Sequence, residues 1–152
     1  MIVIHDTESL NRAGSSDLAS IGSLFARSSV QASAHVCTDA DGNSGRYVPD
    51  ERKAWHCAAY NSASLGIEQI GRAAQTSWPE AEIKETARWV ARWSKKYKIP
   101  IRKARVAGGV VLFKGVTTHR ALGSAGGGHW DPGYHYPMKR MLAYARKYKR
   151  AL

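Results

Sequence analysis

Three side chains far apart in the chain, His5, His119 and Asp131, are of the types that hold a catalytic zinc ion. Two imidazoles and one carboxylate leave the fourth position of the metal free for water, whose proton then becomes easier to remove near neutral pH. Such a set points to hydrolysis. A nearby carboxylate could take the remaining proton, and Glu68 lies inside an apolar, strand-like segment, which makes it the candidate general base. A bland reading of Glu68 competes, an exposed position on an edge strand, because an unpartnered buried carboxylate is expensive. His129, two residues before Asp131, could offer a cation to the oxygen that gains charge in a tetrahedral intermediate. Six histidines leave other triads open. A rival metal set of His35, Cys37, His56 and Cys57 is weakened because adjacent residues on a strand face opposite ways. With two cysteines and no Cys-x-x-Cys spacing, buried free thiols are expected.

These residues need elements to position them. Residues 1–5 read as a buried strand that delivers His5 at its end, and residues 15–27 as a helix opened by Ser16 or Asp17. Residues 33–38 and 45–48 read as strands joined through the turn signal Asp41-Gly42. Residues 54–57 and 65–71 read as two further short strands. Ser77-Trp78-Pro79-Glu80 has the form of a capping box, so a helix should follow and Pro100 should end it. The glycine-rich stretches 107–109 and 126–128 carry no phosphate-cradling pattern and read as flexible connectors. From Tyr136 on, Met138, Met141, Leu142, Ala145, Tyr148 and Leu152 trace one stripe of a basic amphipathic helix.

The chain has 152 residues, 43% of them hydrophobic and 23% charged, which suits one domain over residues 1–152 with its own core and no separate wall-binding or other domain. No apolar run reaches membrane-spanning length, and Met1-Ile2-Val3-Ile4 is too short for a secretory signal, so folding in a cytoplasm is expected. The net charge of +11 is uneven. Residues 1–71 hold five Lys/Arg against eight Asp/Glu, whereas residues 72–152 hold eighteen against four. An excess of this kind suits a polyanionic partner: nucleic acid, an anionic membrane, or a phosphate-rich cell-wall polymer.

A set of short segments narrows the choice. Ile4-His5, Ser33-Ala34-His35, Tyr47-Val48-Pro49, Ala54-Trp55-His56, Asn61-x-x-Ser64-Leu65-Gly66-Ile67-Glu68-x-x-Gly71, Thr118-His119-Arg120 and Asp131-Pro132-Gly133 follow one another in this order. Together they resemble the zinc N-acetylmuramoyl-L-alanine amidases, a family that includes phage lysozyme-like amidases, anhydromuropeptide amidases and peptidoglycan recognition proteins. The resemblance covers nearly the whole chain. It implies an α/β domain with a central mixed β-sheet flanked by helices. It also implies hydrolysis of the amide between N-acetylmuramic acid and L-alanine, with Zn2+ held by His5, His119 and Asp131. Glu68 matches the base of the anhydromuropeptide branch. The phage lysozyme branch instead uses a tyrosine where Ala34 stands. Trp55 and His56 match a pair that lines the substrate groove, and His35 is a further expected substrate contact. Asp6-Thr7 is expected to orient His5. The residue two before the last ligand is commonly lysine in catalytic members, and here it is His129, so activity is expected to fall as pH rises and that imidazolium loses its proton.

The expectation is an endolysin-like, monomeric wall hydrolase made in the host cytoplasm without a signal peptide and acting on peptidoglycan after release. Its basic C-terminal half would hold anionic wall polymers, with no nucleic acid involved. A muropeptide-recycling amidase shares the chemistry. From other classes, a basic nucleic-acid-binding module lacks a recognised reading motif, and a non-catalytic peptidoglycan-binding module is disfavoured because all three ligands and Glu68 are retained.

Overall fold

The computed structural model describes residues 1–10 and 16–152. A five-stranded sheet is built from β1 (Ile2–Ile4), β2 (Val36–Thr38), β3 (Ser44–Arg46), β4 (Leu65–Gln69) and β7 (Val116–Thr118). The strand order is β3-β2-β4-β1-β7. Strand β1 runs parallel to β4 and β7, β2 runs parallel to β4, and β3 returns antiparallel on β2, so the sheet is mixed. Between β2 and β3, the Asp39 carboxylate accepts from the backbone N–H groups of Asp41 and Asn43 while Gly42 takes φ +80°. This is the expected Asp-Gly turn.

Alternation sends one side of each strand to each face. Ile2, Ile4, Val36, Leu65, Ile67 and Val116 pack against α2 (Glu80–Lys96) and α3 (Met138–Ala151) in the main core. Val3 joins Cys57, Tyr60 and Leu122 in a smaller cluster on the other side, and α1 (Ser16–Phe25) packs Leu18 on Cys37 and Ile70. Ser15, the expected first residue of α1, lies outside the described residues. Helix α2 buries Ile83, Ala87, Val90 and Ala91 at helical spacing, and α3 buries Met141, Leu142 and Ala145 of the expected stripe, leaving Leu152 exposed.

Several local expectations are corrected. The capping box does not form: Pro79 is the N-cap of α2 and no side chain caps the helix. The pyrrolidine ring fixes φ at the entry to the helix, and Glu80 instead accepts from the Tyr144 hydroxyl and pairs with Arg140. Helix α2 stops at Lys96, four residues before Pro100, with Lys98 at φ +55°. Residues 54–57 form a bend running into a short 3-10 helix, Ala58–Tyr60, because Asn61 Oδ1 draws in the N–H groups of His56 and Cys57 at 2.8 and 2.7 Å. Gly108 and Gly109 are the tight turn of an antiparallel hairpin, β5 (Arg105–Ala107) and β6 (Val110–Phe113), with φ of +55° and +75°. The second glycine stretch closes a 3-10 segment, Arg120–Gly126, with Gly127 and Gly128 at positive φ. Neither stretch is a loose connector.

Gly133 anchors the loop that carries Asp131. It has φ +82°, and a Cβ there would stand 1.9 Å from the Ala73 carbonyl oxygen. Gly133→Ala combines left-handed strain with a backbone collision. It is expected to cost at least about 3 kcal/mol, read as a fall of roughly 10 °C in melting temperature. A melting curve unchanged from wild type would show that this packing is wrong.

Candidate active site

Parallel strands in a mixed sheet leave a crevice beyond their C-terminal ends, a common place for ligands. His5 follows β1, His119 follows β7, and Glu68 lies near the end of the central strand β4. Their backbones are tied into adjacent ladders, with His5 N–H donating to the Ile67 carbonyl at 2.8 Å and His119 N–H to that of Ile4 at 3.0 Å. Asp131 arrives from the loop before α3, where its carbonyl accepts from the Arg120 N–H at 3.0 Å.

His5, His119 and Asp131 are buried and converge. The two Nδ1 atoms are 3.0 Å apart. His5 Nδ1 lies 3.3 Å from Asp131 Oδ2, and His119 Nδ1 lies 3.1 Å from Asp131 Oδ1. Ligands about 2.0 to 2.1 Å from a tetrahedral zinc stand about 3.3 to 3.4 Å from one another, so these separations, 3.0 to 3.3 Å, are close to those of three corners of such a shell. Two imidazole nitrogens and a carboxylate form a donor set able to hold a metal ion. The donors face a cleft of about 450 Å³ that Glu68, His129 and Trp55 also line.

The charges fit this arrangement. Burial tends to raise the Asp131 carboxyl, but hydrogen bonds from His119 and His5 and their charges win and hold it well below the ordinary carboxylate range. Burial lowers His5 despite Asp131. For His119, burial opposes the charge, yet the hydrogen bond and charge of Asp131 outweigh it and the group is raised. Glu68 is pushed well above the usual range by burial first, then by the charges of Asp131 and Asp6. Its Oε2 is shut off from solvent with no hydrogen-bond partner among the described residues. Strand β4 is central, so the edge-strand reading of Glu68 fails. Glu68 as a whole is half-buried, but this one carboxyl oxygen is enclosed and unpartnered on the wall of the same cleft as the donor cluster, a setting that favours a perturbed, functional carboxyl.

The remaining expected contacts divide. Trp55 is 49% exposed and forms part of the cleft wall. His129 is exposed and stacks on the ring of His119, with centroids 4.5 Å apart and planes 19° from parallel. His35 does not reach the cleft: it is 1% exposed, its Nε2 donates to the Arg52 carbonyl, and its Nδ1 accepts from the Gly66 N–H. It ties the Arg52 and Gly66 backbone segments together. His56 lines the cleft, but both of its nitrogens are engaged within the protein, Nδ1 at 2.8 Å from His5 Nε2 and Nε2 at 3.2 Å from Ser64 Oγ. Burial and the neighbouring imidazoles push its pKa down to about 2, so it is neutral.

The expected orienting role of Asp6 is also corrected. Its Oδ1 accepts from the Glu8 N–H, and only its backbone N–H approaches Asp131, at 3.4 Å. The group next to His5 is His56, and the group next to His119 is the Gly126 carbonyl, 2.6 Å from Nε2. Neither partnership has a local sequence signal. The rival set of His35, Cys37, His56 and Cys57 does not assemble among the described residues, where the one cluster with metal-ligand geometry is His5, His119 and Asp131. Both cysteines are free and buried.

The family described as N-acetylmuramoyl-L-alanine amidase matches residues 1–134. No curated protein sequence is significantly similar to the chain. Among solved structures, the Staphylococcus aureus hydrolase AmiA in complex with its ligand aligns with a TM-score of 0.71 at 20% identity, over 97% of this chain and 71% of that one. An AmpD derivative aligns with a TM-score of 0.68 at 23% identity, over 95% and 83%. The endolysin N-acetylmuramoyl-L-alanine amidase LysCS from Clostridium intestinale aligns with a TM-score of 0.68 at 17% identity, over 96% and 82%. At these identities the likeness is one of fold.

Proposed function

The chain belongs to the N-acetylmuramoyl-L-alanine amidase family, and on that footing we propose that it is a zinc hydrolase cutting the amide between the lactyl group of N-acetylmuramic acid and L-alanine in peptidoglycan. The observation that carries this reading is the convergence of His5 Nδ1, His119 Nδ1 and the Asp131 carboxylate on a cleft that Glu68 also lines, with its Oε2 enclosed and unpartnered. Zinc held there would polarise the scissile carbonyl and make a water molecule easier to deprotonate.

This chain's own groups do the rest. Glu68 takes the proton of the attacking water and passes it to the departing nitrogen as a carbon–oxygen bond replaces the carbon–nitrogen bond. His129, on the rim, donates to the carbonyl oxygen as charge builds there. Trp55 offers a flat apolar wall to the sugar or the stem peptide. The test is release of L-alanine amino termini from purified peptidoglycan, suppressed by EDTA and restored by zinc. Release insensitive to exhaustive chelation would refute it.

The biological role we favour is endolysin-like: an amidase domain, monomeric, acting on the intact wall after release. Assay on whole sacculi against soluble muropeptides separates this from a recycling role, which requires preference for the soluble fragments. No helix among the described residues is long and apolar enough to cross a membrane. Eighteen Lys/Arg against four Asp/Glu in residues 72–152 give the means of holding anionic wall polymers. Charge attraction of this kind is screened by salt, with a Debye length of about 10 Å at 0.1 M falling to about 3 Å at 1 M. Cell-wall pull-down is therefore expected to weaken at least about tenfold between those conditions. Equal binding at both would remove charge from the account.

A further inference from the structure

Resting on the reading of His5 as a zinc ligand, we propose that His56 and Ser64 are positioning residues. They form a one-directional hydrogen-bond relay that fixes the tautomer and ring orientation of His5. His5 presents Nδ1 to its fellow ligands, 3.0 Å from His119 Nδ1 and 3.3 Å from Asp131 Oδ2. A neutral imidazole that ligates through Nδ1 carries its proton on Nε2. That proton faces His56 Nδ1 at 2.8 Å, which must accept it and so is bare. A neutral His56 with a bare Nδ1 is protonated on Nε2, and that N–H points to Ser64 Oγ at 3.2 Å. Ser64 completes the sequence by donating its hydroxyl proton to the Tyr60 carbonyl at 2.7 Å. Each role in the relay follows from the one before: Ser64 Oγ accepts from His56 and donates to Tyr60, with Cys57 Sγ a further neighbour at 3.3 Å.

The surroundings are shaped for this relay. Asn61 Oδ1 binds the N–H groups of both His56 and Cys57, which holds the bend that presents the His56 ring. On β4, a Cβ at Gly66 would lie 2.6 Å from His56 Nδ1, so glycine makes the room in which that nitrogen meets His5. The relay ends on the backbone of the 3-10 turn, where the Tyr60 carbonyl also accepts from the Ala63 N–H at 3.0 Å. Cys57 Sγ lies 3.6 Å from His56 Nε2, but sulfur is a weak acceptor and the Ser64 oxygen is nearer. The two histidine ligands thus differ. His119 is oriented by the Gly126 carbonyl, which no side-chain substitution removes, whereas His5 is oriented by side chains that can be changed.

Partners that orient a metal-bound imidazole are worth about 10- to 100-fold in metal affinity. The experiment is zinc competition against a chromogenic chelator, joined to long-range 1H–15N spectra of the zinc-loaded protein. The expected spectrum has His56 protonated on Nε2 and bare on Nδ1. His56→Phe should weaken zinc binding about 10- to 100-fold, and His56→Asn, whose side-chain oxygen can stand where Nδ1 stood, should recover most of the loss. Ser64→Ala should weaken binding by roughly threefold to tenfold, since it removes the second link only. It also serves as the test if His56→Phe fails to fold. A proton on His56 Nδ1, or wild-type zinc affinity in both His56→Phe and Ser64→Ala, would overturn the relay while leaving the zinc site standing. A wild-type protein that binds no zinc would overturn the site and the relay together.

Discussion

His119→Ala and Asp131→Ala proteins are expected to purify without tightly bound zinc and to lose amidase activity by at least about 10³-fold. The reason is the compactness of the cluster. Asp131 lies within 3.1 to 3.3 Å of both histidine Nδ1 atoms, so removing one member leaves two donors where a catalytic zinc site needs three. A metal's contribution to the transition state is several kcal/mol, and each 1.4 kcal/mol is tenfold in rate. Asp131→Ala has a second consequence, because Asp131 is the negative charge that offsets the histidines. Metal content and turnover should fall together. Full activity with zinc absent would sever the chemistry from this cluster.

Glu68→Gln is the second large effect, and it should separate function from stability. A general base supplies about 10²- to 10⁴-fold, so the rate constant should fall by that factor while zinc content stays at the wild-type level. Stability should move the other way in the metal-free protein. Burial raises the Glu68 pKa above its unfolded value, so between ordinary carboxylate pH and the raised value the folded state holds the extra proton. The unfolded chain then binds fewer protons, and stability falls as pH rises through this window. Glu68→Gln removes the dependence. Its melting temperature should exceed that of wild type by an amount that grows from pH 5 to pH 8, at roughly 3 °C per kcal/mol of relief. A Glu68→Gln protein with wild-type turnover, or one whose stability advantage shrinks as pH rises, would contradict the assignment.

The donor triad was legible because each member sits in a short segment of definite form. His5 ends an apolar run, His119 follows a β-branched run, and Asp131 precedes Pro132-Gly133, whose glycine is required by its contact with the Ala73 carbonyl. Strand β4 was legible for the same reason, and Glu68 with it. Partnerships made across space were not. His56 pairs with His5 because Asn61 turns the backbone of residues 56 and 57, and nothing within residues 54–57 distinguishes that bend from a strand. His35 looked like a ligand-facing residue by its place in the motif, yet it spends both nitrogens on the backbone. The stretch 107–109 reads as a connector in sequence because it lacks a phosphate-cradling pattern, and nothing in it marks the turn between β5 and β6. The positive φ values of its two glycines become visible only when strands flank them. Ser77 looked like a cap until Pro79 set where the helix could start.

The most direct test of the central claim is X-ray absorption at the zinc edge on the active protein, with one zinc bound per chain. A shell of nitrogen and oxygen only at about 2.0 to 2.1 Å, with the multiple scattering of two imidazoles, is the predicted result. Sulfur at about 2.3 Å would place the metal on Cys37 or Cys57 and contradict the site described here.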